Sequence, residues 1–256
     1  MHDSTVHEMA DRRCVVFDLD DTLFLERDYV RSGFAAVDDW ARSELGVTGL
    51  GDHCWTRFEQ GHRGRIFDEA LEARGIQATP DLVADLVGVY RAHPPAIELL
   101  PDARACIGRL RRRGDFLAVV TDGPLLAQQR KAEALGVRSW AQVVVFTEAL
   151  GPGFGKPHPR AFATVETESG MRGPRCAYVA DNTAKDFAGP KALDWRTVRV
   201  RRAHGLHHAA PSPVEVDAEM HDLIELEDWF TGLGRPRPQD DVDPPDDVAP
   251  WRGGRP

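Results

Sequence analysis

Apolar residues along this chain fall into two patterns: short unbroken runs, and longer stretches that repeat every three or four positions. Five runs read as buried strands, at Cys14–Phe17, Phe116–Val120, Val143–Phe146, Cys176–Ala180 and Thr197–Val200. Between the later ones lie stretches with helical spacing, at Leu125–Leu135, Arg160–Glu168 and Lys185–Leu193. This alternation of strand and helix predicts an α/β fold, a doubly wound parallel sheet covered by helices on both faces. No internal repeat is visible, so a solenoid is not supported.

The first two runs stand about a hundred residues apart, far more than the roughly ten to fifteen residues a crossover needs. The excess reads as helical. Tyr29, Val30, Phe34, Val37, Trp40, Ala41 and Leu45 form one stripe, and Ile66, Phe67, Ala70 and Leu71 form another. Leu82, Val83, Leu86, Val87 and Tyr90 form a third, opened by Thr79-Pro80 as N-cap and first helical residue and closed by Pro94-Pro95. Residues 27–96 are therefore expected to be a helical domain inserted into an α/β core of residues 13–26 and 97–233, with Ala103–Arg113 returning as a core helix. A polar segment, 1–12, precedes the core. The last residues, 234–256, hold six prolines, five aspartates and four arginines and read as a disordered tail.

Composition narrows the function. Lys plus Arg total 32 against 41 Asp plus Glu, a net charge of −9 that opposes backbone-driven nucleic-acid binding. The longest apolar runs fall far short of the ~20 residues that span a bilayer, so no membrane association is expected. The amino terminus lacks an apolar leader, and Cys14, Cys54, Cys106 and Cys176 show no C-x-x-C spacing. Both features read as a cytoplasmic protein with free thiols.

The chemistry concentrates where strands should end. Val15-Val16-Phe17 runs straight into Asp18-Leu19-Asp20-Asp21-Thr22. Residues i and i+2 of an extended chain share a face, so Asp18 and Asp20 can converge at the carboxyl end of the sheet, where open α/β folds bind ligands. Two carboxylates ~5 Å apart repel by roughly 3 kcal/mol at an effective dielectric of ~20, which calls for a cation or a shared proton. A solvated acidic turn is the alternative on this segment alone. Three later segments add to it: Thr121-Asp122-Gly123, Lys156-Pro157 after Gly155, and Asp181-Asn182 with Asp186. A hydroxyl, an ammonium and several carboxylates on one sheet edge suit a dianionic substrate and a hard divalent cation.

In this order the four segments resemble the motifs of the haloacid dehalogenase superfamily, and the likeness runs from about Cys14 to Leu226. The inserted helices resemble the group with a helical cap after the first motif, which includes phosphoglycolate phosphatase-like enzymes. One departure is Ala180 before Asp181, where the family usually has glycine. The resemblance implies a Mg²⁺-dependent phosphatase that hydrolyses a small phosphate monoester through an aspartyl-phosphate. It implies Asp18 as nucleophile and Asp20 as general acid, then base. Thr121, Lys156 and the backbone amides of Asp122 and Gly123 would hold the phosphoryl oxygens. Mg²⁺ would be held by Asp18, the carbonyl of Asp20 and Asp181, with Asp186 behind them.

Substrate choice would lie with the insert, where His62, Arg63 and Arg65 form a basic cluster and Arg91 and His93 sit at the return hinge. A solvated basic loop is the plainer reading of those five. His204, His207 and His208 read as an exposed cluster rather than a ligand set. The expected partner is a small phosphorylated metabolite, acted on by a monomer or homodimer. Another reaction of the superfamily stays open: a phosphomutase, or less readily a dehalogenase, which would lack Asp20. So does a non-catalytic protein that keeps the fold.

Overall fold

The structure, a computed structural model, describes residues 12–212 and 215–232. The tail read at 234–256, and all but the last residue of the segment read at 1–12, lie outside the described residues.

Among the described residues six strands form one wholly parallel sheet: β1 (Cys14–Phe17), β2 (Phe116–Thr121), β3 (Val143–Phe146), β4 (Cys176–Ala180), β5 (Arg196–Val200) and β6 (Ala218–Met220), in the order β3-β2-β1-β4-β5-β6. Cys14 stands opposite both Phe116 and Cys176, and Phe17 opposite both Val119 and Val179. Successive side chains alternate between two cores, as the pleat requires. Val15, Phe17, Leu117, Val119, Ala177 and Val179 face one core. Cys14, Val16, Phe116, Ala118, Cys176 and Tyr178 face the other.

The first core is covered by α5 (Pro101–Arg112) and α6 (Leu125–Ala134), through Ala103, Cys106, Ile107, Leu110 and Ala127, and by α9 (Leu226–Gly232) through Phe230. The second is covered by α7 (Arg160–Ser169), through Ala161, Phe162 and Val165, and by Phe187, which precedes the short α8 (Ala188–Lys191). Phe162 lies edge-on to Tyr178 and Trp195, with ring centroids 4.8 and 5.5 Å away. Burying a side chain of that size contributes ~1.5–3 kcal/mol. Covering both faces leaves only the strand ends open to ligands.

Between β1 and α5 lie four helices: α1 (Glu26–Glu44), α2 (Leu50–Glu59), α3 (Ile66–Glu72) and α4 (Pro80–Ala92). Phe34, Val37 and Ala41 of α1 share a buried cluster with Leu50, Cys54 and Phe58 of α2, Leu71 of α3 and Leu86 of α4. Gly51 lets α2 approach α1 closely, since a Cβ there would stand 2.4 Å from the Phe34 carbonyl oxygen. The expected cap of α4 is present: the Thr79 hydroxyl accepts from Leu82 N, and Pro80 opens the helix.

Three sequence expectations change. The sheet gains β6, whose Ala-Glu-Met carries no strand pattern and is set by pairing with β5. The insert gains α2, whose buried face is only Leu50, Gly51, Cys54 and Phe58 among charged residues. The stretch read at Lys185–Leu193 is helical only over Ala188–Lys191, because residues before it form a turn around Asp186. Among the described residues no helix is long and apolar enough to cross a membrane.

Candidate active site

β1 lies at the centre of the sheet, between β2 and β4, so the loop leaving its carboxyl end is flanked by the loops leaving both neighbours. Asp18 N donates to the Val179 carbonyl at 3.0 Å, which carries the ladder one residue beyond the strand. The chain then turns, with Leu23 N bonded to Leu19 O and Asp21 at a φ of 49°. This turn separates the three carboxylates of the segment. Asp21 accepts from Glu26 N at 2.9 Å and from Leu206 N at 2.6 Å, so it ties the start of α1 to the loop after β5.

Asp18 enters a buried cluster. Lys156 Nζ lies 3.1 Å from Asp18 Oδ1, 2.7 Å from Asp186 Oδ1 and 3.1 Å from the Tyr178 hydroxyl, which itself donates to the Val120 carbonyl. Asp186 also accepts from Asn182 N at 2.9 Å. One oxygen each of Asp18, Asp181 and Asp186 lie within 4.8 Å of one another, and Asp181 Oδ2 is buried with no hydrogen-bond partner. Burial pushes the Asp18 carboxyl up to about 6, against the pull of Lys156. Burial, then the charges of Asp18 and Asp186, push Asp181 up to about 9. Burial works against a charged Lys156, yet Asp18 and Asp186 outweigh it and raise its pKa. Three buried carboxylates, only two of them paired with the one ammonium, and an orphaned oxygen on the third fit a hard divalent cation with oxygen ligands.

Asp20 points elsewhere. Its Oδ1 accepts from Lys131 Nζ at 2.6 Å and its Oδ2 from Gln128 Nε2 at 3.0 Å. Gln128 in turn accepts from the Thr121 hydroxyl at 2.9 Å. The Asp122 carboxylate braces the next loop. It accepts from the Thr147 hydroxyl at 2.6 Å, Lys156 N at 3.1 Å and Lys185 Nζ at 3.1 Å, and despite burial these hold it below the ordinary carboxylate range. Gly123 has a φ of 149°, and a Cβ there would stand 2.8 Å from Gln128 Nε2.

Of these groups Asp18, Asp20, Asp122, Gly123 and Asp181 border a cavity of about 370 Å³, faced by Tyr29, Phe67, Tyr90 and Arg91 on the helical side, whereas Thr121, Lys156 and Asp186 stand outside its lining. A second cavity of about 310 Å³, lined mostly by the insert but also by Leu206 of the loop after β5, shares Glu26, Phe67, Val87 and Tyr90 with it. The five basic residues named as candidates for substrate contact separate accordingly. Arg91 lines the first cavity; Arg63 and Arg65 line the second. Arg65 pairs with Asp68 and Glu72, and Arg63 lies over the Phe58 ring at 4.0 Å. His62 and His93 line neither. His62 meets Arg57, and His93 is buried between the Ser32 hydroxyl and the Tyr90 carbonyl.

Several lining residues carried no motif: Glu26, Gln128, Lys131, Lys185 and His207. Burial, then the charge of Asp20, pushes Glu26 up to about 7. His207, expected in an exposed cluster, shares a hydrogen bond with Asn182 at 3.0 Å and borders the cavity. A signal for Gln128 and Lys131 did exist: with Ala127, Ala132 and Leu135 they fall on the buried side of α6, an odd place for a lysine.

The family model of haloacid dehalogenase-like hydrolases matches residues 12–194. The chain is 31% identical over 164 residues to a phosphoserine phosphatase of Thermus thermophilus, a match covering 64% of this chain and 63% of that protein. It is 29% identical over 199 residues to a glyceraldehyde 3-phosphate phosphatase of Methanopyrus kandleri, covering 74% and 84%. Among solved structures, a HAD family hydrolase from Deinococcus radiodurans with bound phosphate and sodium superposes with a TM-score of 0.63, at 19% identity over 90% of this chain and 99% of that one. That likeness concerns the fold. On the family match, over a span that holds all four motifs, this chain belongs to the haloacid dehalogenase-like hydrolases.

Proposed function

We propose that this protein is a divalent-cation-dependent phosphatase of small phosphate monoesters, working through a phosphoaspartate on Asp18. The observation that carries the reading is the buried cluster of Asp18, Asp181 and Asp186, with Lys156 on Asp18 and Asp186 and with Asp181 Oδ2 unpartnered. The phosphatases among its relatives support it.

Asp18 attacks phosphorus and takes the phosphoryl group, and Asp20 protonates the departing alkoxide oxygen. A water then attacks the phosphoaspartate, gives its proton back to Asp20 and frees inorganic phosphate and Asp18. The amides of Asp122 and Gly123, and Lys156, hold the phosphoryl oxygens as charge redistributes, while the Thr121 hydroxyl, whose one proton goes to Gln128, positions that side chain beside them. Mg²⁺, held by the carboxylates of Asp18 and Asp181 and the carbonyl of Asp20, would supply charge neutralisation at the phosphoryl group. Asp186, already bonded to Lys156 and Asn182, supports that set from behind.

Residues 27–96 act on this reading as a cap that covers the site and meets the leaving group through Arg91 and its aromatic neighbours. Four free, buried cysteines are in keeping with a cytoplasmic enzyme. The test is hydrolysis of 4-nitrophenyl phosphate and a panel of alkyl phosphates with Mg²⁺, with excess chelator, and with Asp18→Asn. Turnover only with Mg²⁺, and none by Asp18→Asn, is expected. Undiminished turnover in chelator, or by Asp18→Asn, would overturn the mechanism.

A further inference from the structure

A buried lysine forms the closest contact to Asp20. Lys131 sits on α6, three residues after Gln128, which places both on one face of the helix. Its side chain is 4% exposed, its Nζ lies 2.6 Å from Asp20 Oδ1, and the same ammonium lies 4.2 Å from the centroid of the Tyr29 ring on α1. Gln128 holds the other Asp20 oxygen and is itself fixed by the Thr121 hydroxyl. Lysine is rarely buried so fully without a task for its charge, and here its acidic partner is one proposed proton carrier.

Building on the phosphatase reading above, we infer that Lys131, with Gln128, is a positioning residue that aims the Asp20 carboxyl group at the leaving-group oxygen. A carboxyl group on a free side chain turns about two bonds, so most of its orientations miss the proton it must give or take. Two donors on one rigid helix, one per oxygen, remove that freedom. Each oxygen accepts one hydrogen bond, which leaves each a further lone pair for the travelling proton. The Tyr29 ring closes over the ammonium from the helical insert, so the clamp is shielded from water by the same element that covers the site.

The test is Lys131→Met, which keeps the length and the contact with Tyr29 but removes the donor, measured through kcat/KM so that only steps up to the phosphoenzyme count. Expected is a loss of ~10–100-fold on alkyl phosphates and under about 3-fold on 4-nitrophenyl phosphate, whose leaving group needs little protonation. Inhibition by inorganic phosphate and the melting temperature should hold, Lys131→Arg should recover part of the loss, and Lys131→Met should add nothing in an Asp20→Asn background. Equal losses on both esters, a further loss in the Asp20→Asn background, or weakened phosphate inhibition would overturn the inference. A loss confined to esters with a second anionic group would make Lys131 a substrate contact instead. Should Lys131→Met fail to fold, Lys131→Gln carries the same measurements and outcomes. A wild-type protein inactive on every ester would sink the phosphatase reading and the clamp together; an active one with equal losses sinks the clamp alone.

Discussion

Lys156 Nζ stands 3.1 Å from Asp18 Oδ1, with the two side chains only 1% and 6% exposed. A buried ammonium this close to the proposed nucleophile has two duties. It neutralises carboxylates that could not otherwise be buried together, and on the proposed mechanism it would also bind a phosphoryl oxygen as Asp18 attacks.

Replacing Lys156 should therefore cost both stability and activity. Lys156→Met leaves Asp18 and Asp186 without their shared cation, a break expected to destabilise by ~3–5 kcal/mol. Urea unfolding at neutral pH should show it, and every phosphate ester should lose rate together. A variant as stable as the wild type would mean that the carboxylates do not need this counter-ion.

Asp20→Asn should separate substrates by leaving group. A positioned acid contributes typically ~10²–10⁴-fold, and alkyl phosphates should lose kcat/KM on that scale while aryl phosphates lose far less. Equal losses would remove Asp20 from the role of general acid.

Stability without metal should fall as pH rises. Asp18 and Asp181 lie at about 6 and about 9, against an ordinary value of 3.8, so above that value the folded chain binds more protons than the unfolded one. The linkage slope is then negative: this contribution to stability is present at low pH and lost progressively toward about pH 9. Mg²⁺ should reverse the loss, by about 2.7 kcal/mol at a hundred times its Kd, and should raise the melting temperature more near pH 8.5 than near pH 5. Asp181→Asn should flatten the profile and abolish the Mg²⁺ response. A Mg²⁺ response that survives Asp181→Asn unchanged would place the cation elsewhere.

Arg91→Ala should alter which substrates are preferred. Lys131 and Lys185 pair with Asp20 and Asp122, whereas Arg91 has no acidic partner within 4.0 Å among the described residues and faces the cavity from the insert. Its loss should raise KM several-fold for esters with an anionic leaving group and leave 4-nitrophenyl phosphate nearly unchanged. Loss of all aryl phosphate hydrolysis in a folded variant would show that the insert takes part in the chemistry.

The sequence by itself determined the parts whose signal is local. A buried strand needs only a short apolar run, so β1 to β5 were legible, and with them the strand ends that present Asp18, Thr121 and Asp181. The Thr79-Pro80 cap was legible for the same reason, because its hydrogen bond closes within three residues. Tertiary structure decided whatever depends on partners distant in sequence. β6 exists because β5 offers an edge, and α2 because Gly51 can lie against Phe34. Asp20 and Asp21 are neighbours with the same side chain. One meets Lys131 and Gln128 at the cavity, and the other ties α1 to the loop after β5. A carboxylate's charge and reach are written in the chain, but its partners, its burial and hence its acidity come only from the packing of elements that the chain brings together from far apart.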